Sequence, residues 1–242
     1  MIRVHSYESM GTFDGPGLRL VVFLQGCNFR CLYCANPDTI DCQGGTETKA
    51  EEIINMAMRE KPFFGRKGGV TFSGGEPLMQ ASELLPVVRE LKRRGIHVCL
   101  DSNGSINNET ARNLLAEADL TLLDIKQIID EKHKSLTSQS NRNTLSTARF
   151  LEEKGKDFWI RLVIVPGYSD DKADLRTIGE TFGCFKHVRR VELLPYHTLG
   201  VHKYEALGKP YRLTDVSEPS KEDMEVVQQL LQGYFTVPVV IN

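Results

Sequence analysis

No apolar run in this 242-residue chain approaches the ~20 residues needed to cross a bilayer, which argues against a membrane-spanning role. Nor is there an excess of positive charge: 30 basic against 32 acidic residues leave a formal net charge of -2, so nothing advertises a nucleic-acid partner. The local run Lys92-Arg93-Arg94 reads more simply as the basic last turn of a helix. Low-complexity tracts, linkers rich in Gly, Ser or Pro, and internal repeats are all missing, so residues 1–242 are expected to form one domain. Met1 leads straight into Ile2-Arg3-Val4-His5 without an apolar leader, and a cytoplasmic location is expected. Without an export signal, six cysteines in a chain of this length do not read as a disulfide framework. Three of them fall between positions 27 and 34, and thiols clustered in a reducing compartment mean metal.

Short apolar runs alternate with longer amphipathic ones. The pattern predicts strands over Leu18–Leu24, Val70–Phe72, Ile96–Leu100, Leu120–Ile125, Phe158–Val165 and Val188–Leu194. Helical periodicity covers Lys49–Glu60, Ala81–Arg93, Asn108–Glu117, Thr144–Lys154, Ala173–Thr181 and Lys221–Leu231, followed by a terminal apolar run, Thr236–Ile241. Alternating strands and helices call for an α/β fold with a parallel sheet and right-handed crossovers. Six units are too few for a closed eight-stranded barrel, so an open sheet or partial barrel is expected.

The unusual residues fall at one place in this scheme. The cysteines follow the first strand, Ser73-Gly74-Gly75-Glu76-Pro77 the second, and Asp101-Ser102-Asn103-Gly104 the third. Asp124 and Lys126 close the fourth strand, Arg161 lies within the fifth, and Pro195-Tyr196-His197 ends the sixth. The C-terminal ends of parallel strands share one rim, and ligands bind there. Lys and Arg in apolar strands are costly unless they serve a partner.

Cys27, Cys31 and Cys34 are spaced C-x3-C-x2-C. Thiolates suit iron–sulfur clusters or zinc. Three ligands on one loop can cap three irons of a [4Fe–4S] cube and leave the fourth open, whereas electron-transfer ferredoxins use four cysteines. A structural zinc site would want a fourth ligand, and Cys42 is the one at hand. Cys99 and Cys184 read as incidental thiols.

The cysteine spacing together with Gly74-Gly75-Glu76-Pro77 resembles the radical S-adenosylmethionine (SAM) superfamily. The stretches Gly11-Thr12-Phe13-Asp14-Gly15-Pro16-Gly17, Asp101-Ser102-Asn103-Gly104, Asp124-Ile125-Lys126 and Leu193-Leu194-Pro195-Tyr196-His197 are similar to its glycyl-radical-enzyme activating enzymes. The resemblance implies a partial (β/α)6 TIM-like barrel. It also implies a [4Fe–4S] cluster on Cys27, Cys31 and Cys34 that reductively cleaves SAM. Tyr33, Gly74, Gly75, Glu76, Asp101, Lys126, Arg161 and His197 would contact that cofactor, with His202 the weaker rival of His197. Asp101, Ser102, Asp124 and the Leu122 carbonyl would surround a monovalent cation, Na+ or K+. The implied partners are a glycyl radical enzyme as protein substrate and a flavodoxin-like electron donor, with the free protein a monomer. Only Cys42 lies between Ala35 and Val70, and the lack of an extra cysteine-rich insert favours the pyruvate formate-lyase branch. Anaerobic ribonucleotide reductase as partner and a non-catalytic metal-binding module are the alternatives.

Overall fold

The computed structural model describes residues Met1–Asn242. In chain order the strands are β1 (Ile2–Gly11), β2 (Arg19–Leu24), β3 (Thr46–Thr48), β4 (Gly69–Gly74), β5 (His97–Ser102), β6 (Leu120–Asp124), β7 (Phe158–Ile164), β8 (Val188–Pro195) and β9 (Val239–Ile241). The helices are α1 (Ala50–Glu60), α2 (Ala81–Arg93), α3 (Glu109–Glu117), α4 (Asp130–Thr137), α5 (Arg142–Glu153), α6 (Lys172–Phe182), α7 (Val201–Ala206) and α8 (Lys221–Gln232).

All nine strands form one sheet in the order β3-β1-β2-β4-β5-β6-β7-β8-β9. From β2 to β9 every neighbouring pair is parallel, so six strand–helix units run round the sheet and β9 closes the last. The terminal apolar run supplies that closing strand. At the other end β1 pairs antiparallel with β2, and β3 antiparallel with β1. The edges β3 and β9 do not pair with each other, so the sheet stays open, as the partial barrel requires.

Strand alternation gives the sheet two unlike faces. Leu20, Val22, Phe72, Leu100, Ile160 and Leu193 point outward into a core of 44 buried residues shared with the helices. Ile53 of α1, Leu84 and Leu91 of α2 and Leu231 of α8 meet them there, each essentially inaccessible to solvent. Removing one such leucine side chain would cost about 2–5 kcal/mol. Neighbouring residues face inward and are largely polar: Arg19, Thr71, Ser73, Asp101, Arg161 and Glu192. An inner cluster of Cys99, Leu120 and Leu122 is backed by Trp159. The Arg190 guanidinium lies over the Trp159 ring, 4.6 Å from its centre.

The helices start where capping chemistry allows. Asn108, Asp171 and Ser220 each accept hydrogen bonds from first-turn N–H groups, and Ser220 forms a reciprocal box with Asp223. Pro86 sits inside α2 on its exposed side. Four elements lie beyond the sequence pattern: β1, β3, α4 and α7; α4 holds the cysteine loop.

Candidate active site

The cysteine loop leaves β2 through Gln25-Gly26 and is fixed by main-chain hydrogen bonds to two other segments. Cys27 N–H donates to the Ile40 carbonyl (3.2 Å), Arg30 N–H to that of Thr137 (2.8 Å) and Leu32 N–H to that of Leu136 (3.0 Å). The last two acceptors are carbonyls at the C-terminal end of α4, which lack partners within the helix. Phe29 is buried edge-on against His133 of α4, ring centres 5.4 Å apart. The Arg30 guanidinium closes the loop by donating to the Cys27 and Phe29 carbonyls, both at 2.7 Å. On the far side, the Tyr204 hydroxyl of α7 donates to the Cys34 carbonyl at 3.1 Å.

All three thiols are free. Burial pushes those of Cys27 and Cys31 up to about 12, and raises that of Cys34. A metal that binds them must therefore displace their protons. No three histidine, cysteine or acidic side chains converge on a single point as one ion would demand. A cube that takes each thiolate on a different iron has no such requirement.

The two glycines at the end of β4 are required by local packing. A Cβ on Gly74, whose φ is +96°, would stand 2.5 Å from Leu24 N. One on Gly75 would stand 2.1 Å from the Gly26 carbonyl oxygen. The turn thus packs against the root of the cysteine loop, and Glu76 N–H donates to Gly26 O at 2.8 Å. The Glu76 carboxylate is fully buried and faces away from the cleft. It accepts from Ser102 Oγ (2.7 Å), Asn103 N (2.8 Å) and Leu78 N (2.9 Å). Burial nevertheless lifts its carboxyl to about 7. Its side chain ties the second rim loop to the third and does not border the cleft.

A cleft of about 460 Å³ opens at the C-terminal rim. Cys31, Tyr33 and Cys34 line it from the cysteine loop; Gly74, Asp101, Asp124, Lys126, Arg161 and His197 line it from the successive strand ends. Nine of the residues expected at the site therefore share one cavity. Cys27, Gly75, Glu76, Ser102 and Leu122 do not border it, and neither does His202, which is exposed on α7.

The cleft wall is a chain of alternating charges. Arg161 Nη1 lies 3.2 Å from Asp101 Oδ1 and its Nε 3.2 Å from Glu192 Oε2, while its Nη2 donates to the Phe13 carbonyl at 3.0 Å. Burial alone would weaken the guanidinium's hold on its proton, but Asp101, Asp124 and Glu192 reverse that and keep it charged. Ser73 Oγ donates to Asp101 Oδ2 at 2.7 Å. Lys126 Nζ is 2.8 Å from Asp124 Oδ2 and lies over the Tyr33 ring, 5.7 Å from its centre. Against the penalty of burial, Asp124 holds this lysine protonated. Asp14, also in the cleft, is lifted to about 6 by burial and by the Asp101 carboxylate.

The Tyr33 hydroxyl is buried in this wall with neither a hydrogen-bond nor an ion-pair partner, while Asp101 Oδ1 has only its ion pair with Arg161. Groups of that kind are retained where a ligand completes them. They stand beside soft thiols and fixed charges of both signs, which suits a zwitterionic ligand next to an iron–sulfur cluster. Of the residues expected around a cation, Ser102 Oγ bonds Glu76 and Gly104 N–H (2.9 Å), and Asp124 pairs with Lys126.

Sequence reasoning placed Ser73 and Asn103 in rim motifs without giving either a role, and it passed over Glu192. Glu192 had a visible signal: like Arg161, it is a charge inside an apolar strand, and it is 1% exposed.

Residues 21–177 match the model of the Radical SAM superfamily. The chain is 45% identical over 235 residues to the pyruvate formate-lyase 1-activating enzyme of Escherichia coli K12, covering 96% of each. It is 44% identical over 244 residues to the pyruvate formate-lyase-activating enzyme of Staphylococcus aureus USA300, covering 98% of this chain and 97% of that one. Among solved structures, Streptococcus suis SuiB bound to S-adenosylmethionine superposes with a TM-score of 0.73 at 14% identity, over 93% of this chain and 50% of that one. A domain of a pyruvate-formate lyase-activating enzyme from Bacteroides vulgatus does so with 0.61 at 24% identity, over 72% of this chain and 99% of that domain.

Proposed function

The chain belongs to the radical SAM superfamily and, within it, to the pyruvate formate-lyase activating enzymes, and from that footing we propose that it installs a glycyl radical on pyruvate formate-lyase. The observation that carries the reading is the meeting of Cys31 and Cys34 with the unpartnered Tyr33 hydroxyl and the charges of Asp101, Lys126 and Arg161 in one rim cleft. Cys27, Cys31 and Cys34 would hold a [4Fe–4S] cluster, with SAM beside it. The chemistry supplied there is one-electron reduction of the sulfonium, giving methionine and a 5′-deoxyadenosyl radical that takes hydrogen from a glycine α-carbon of the partner.

The chain's own residues do the positioning. Asp101 and Arg161 present opposite charges to the amino-acid portion of SAM, and Lys126 offers a second cation at the cysteine side. The Gly74 main chain forms the wall opposite, Tyr33 contributes its free hydroxyl, and His197 stands at the mouth for the nucleoside. A flavodoxin-like protein is the electron donor in this reading. The enzyme works as a monomeric single domain, residues 1–242, in the cytoplasm; one sheet and one dominant core support the single domain. No helix is long and apolar enough to cross a membrane. A monovalent cation among Asp101, Ser102, Leu122 and Asp124 would require Asp124 to exchange Lys126 for the ion, and K+ against Na+ activation assays test it.

The deciding experiment incubates the anaerobically reconstituted, reduced protein with SAM and pyruvate formate-lyase. A glycyl radical in the EPR spectrum, with one 5′-deoxyadenosine per radical, is expected. A colourless zinc protein, or 5′-deoxyadenosine without a radical on this partner but with one on anaerobic ribonucleotide reductase, would overturn the assignment.

A further inference from the structure

Asn103, in the turn after β5, is 6% exposed and has no part in the reading above. Its main-chain N–H donates to Glu76 Oε2 (2.8 Å) and its carbonyl accepts from Thr144 Oγ1 (2.6 Å). The side-chain Oδ1 accepts from Ser105 N–H at 2.9 Å. That last bond settles which way the amide points, because only oxygen can accept there. Its NH₂ end therefore faces the cysteine loop, with Nδ2 4.0 Å from Cys27 Sγ and 3.4 Å from Asn28 Oδ1. The two amide hydrogens divide between these acceptors. Asn28 is in turn held by its own donation to Ser105 Oγ at 2.7 Å.

We propose that Asn103 is a positioning residue whose amide donates to the Cys27 sulfur and thereby sets how readily the bound cluster takes up an electron. The inference rests on the cluster assigned above. An N–H donor aimed at a ligating sulfur stabilises the more negative, reduced state and raises the reduction potential. Glu76 gains a purpose in the same arrangement: its buried carboxylate fixes the Asn103 main chain, and with it the aim of the amide. The polar turn Asp101-Ser102-Asn103-Gly104 then serves both ligands, Asp101 facing SAM and Asn103 facing the cysteine that does not border the cleft.

Redox titration of the reconstituted protein without SAM, read by EPR of the reduced cluster, tests this. Asn103→Asp keeps the acceptor for Ser105 N–H but replaces the donor facing Cys27 with an acceptor; Asn103→Ser removes the donor without adding charge. Both should make reduction at least tenfold less favourable, a downward shift of about 59 mV for a one-electron couple. Thr144→Val, which loosens the same turn but spares the amide, should stay within threefold of wild type. Unchanged potentials in both Asn103 variants, or an equal shift in Thr144→Val, would overturn the proposal. So would failure of both Asn103 variants to load iron, since the residue would then hold the loop rather than tune the sulfur. A wild type that holds no [4Fe–4S] cluster sinks the functional assignment itself, an outcome distinct from a loaded wild type with unshifted variants.

Discussion

Replacing Arg161 by methionine tests the charge chain at its centre. The guanidinium is 7% exposed and is approached by Asp101 and Glu192, both at 3.2 Å, with Glu192 itself 1% exposed. Methionine fills much of the space but leaves two carboxylates buried without their shared cation. Breaking a buried pair from one side costs about 3–5 kcal/mol. For a chain of this size each kcal/mol lowers Tm by about 2–4 °C, so a fall of roughly 6–20 °C is expected. Burial already lifts the Glu192 carboxyl above its usual range, with Arg161 the main opposing influence. In the variant it rises further. A carboxyl raised on folding stabilises the protein below its unfolded-state pKa, and that stability is lost as pH rises through the folded one. The deficit should therefore shrink at acidic pH. Denaturant unfolding of the metal-free protein at neutral and mildly acidic pH measures both effects. In a Glu192→Gln background the Arg161→Met penalty should fall by at least 1 kcal/mol, the coupling expected of groups in contact. A penalty below about 1 kcal/mol in the wild-type background, or no coupling to Glu192, would refute the reasoning.

Gly75→Ala should prevent stable iron loading, because its Cβ meets the Gly26 carbonyl at 2.1 Å and the cysteine loop must shift; iron content after reconstitution reads this. Cys31→Ala should abolish both iron binding and 5′-deoxyadenosine formation. Cys99→Ala, in the inner cluster at the closed end, should keep both while losing about 1 kcal/mol of packing, as chemical denaturation would report. Asp14→Asn should gain stability over wild type as pH rises from about 4 to about 7, because burial and Asp101 lift the Asp14 carboxyl to about 6 and its ionisation in the folded state is costly. A pH-independent difference between the two proteins would count against that.

The parallel strands were legible because their apolar runs are short, bounded by turn residues and separated by helical periodicity. The rim was legible for a related reason: charges at strand ends stand out against apolar surroundings. Where this signal weakens, so did the reading. In α4 the sequence Asp-Glu-Lys-His-Lys-Ser-Leu-Thr offers one aliphatic residue, Leu136, and the helix is anchored instead by buried His133 and Thr137. His133 Nδ1 donates to the Gln139 carbonyl at 2.6 Å, and Thr137 Oγ1 to the His133 carbonyl at 2.9 Å. No hydrophobic period can reveal a helix held by such bonds. In β1 only Ile2 and Val4 alternate into the core, and the residues up to Met10 are half-buried or exposed, so the strand is defined by its partners rather than its pattern. For Gly74-Gly75 the packing of two loops supplies a requirement that the sequence did not show, because close approach between two loops and close approach to a ligand leave the same trace in a sequence.

The division of the sheet into two faces explains how one set of strands carries both fold and chemistry. Leu100 and Asp101 are consecutive in β5, yet Leu100 enters the helix-covered core while Asp101 meets Arg161 and Ser73 across the barrel. A register slip of one residue would exchange them, burying a carboxylate among leucines and emptying the cleft of its charge. The apolar outer face makes that slip expensive, so hydrophobic packing outside dictates the aim of polar groups inside. The inner charges then offset one another instead of demanding water: Asp101 and Glu192 share Arg161, and Asp124 takes Lys126. What stays without a partner lies where a ligand belongs, at the Tyr33 hydroxyl. On this account, SAM should stabilise an outer-leucine variant as much as wild type, whereas a variant lacking Asp101 or Arg161, which face the ligand, should gain less because it binds SAM more weakly.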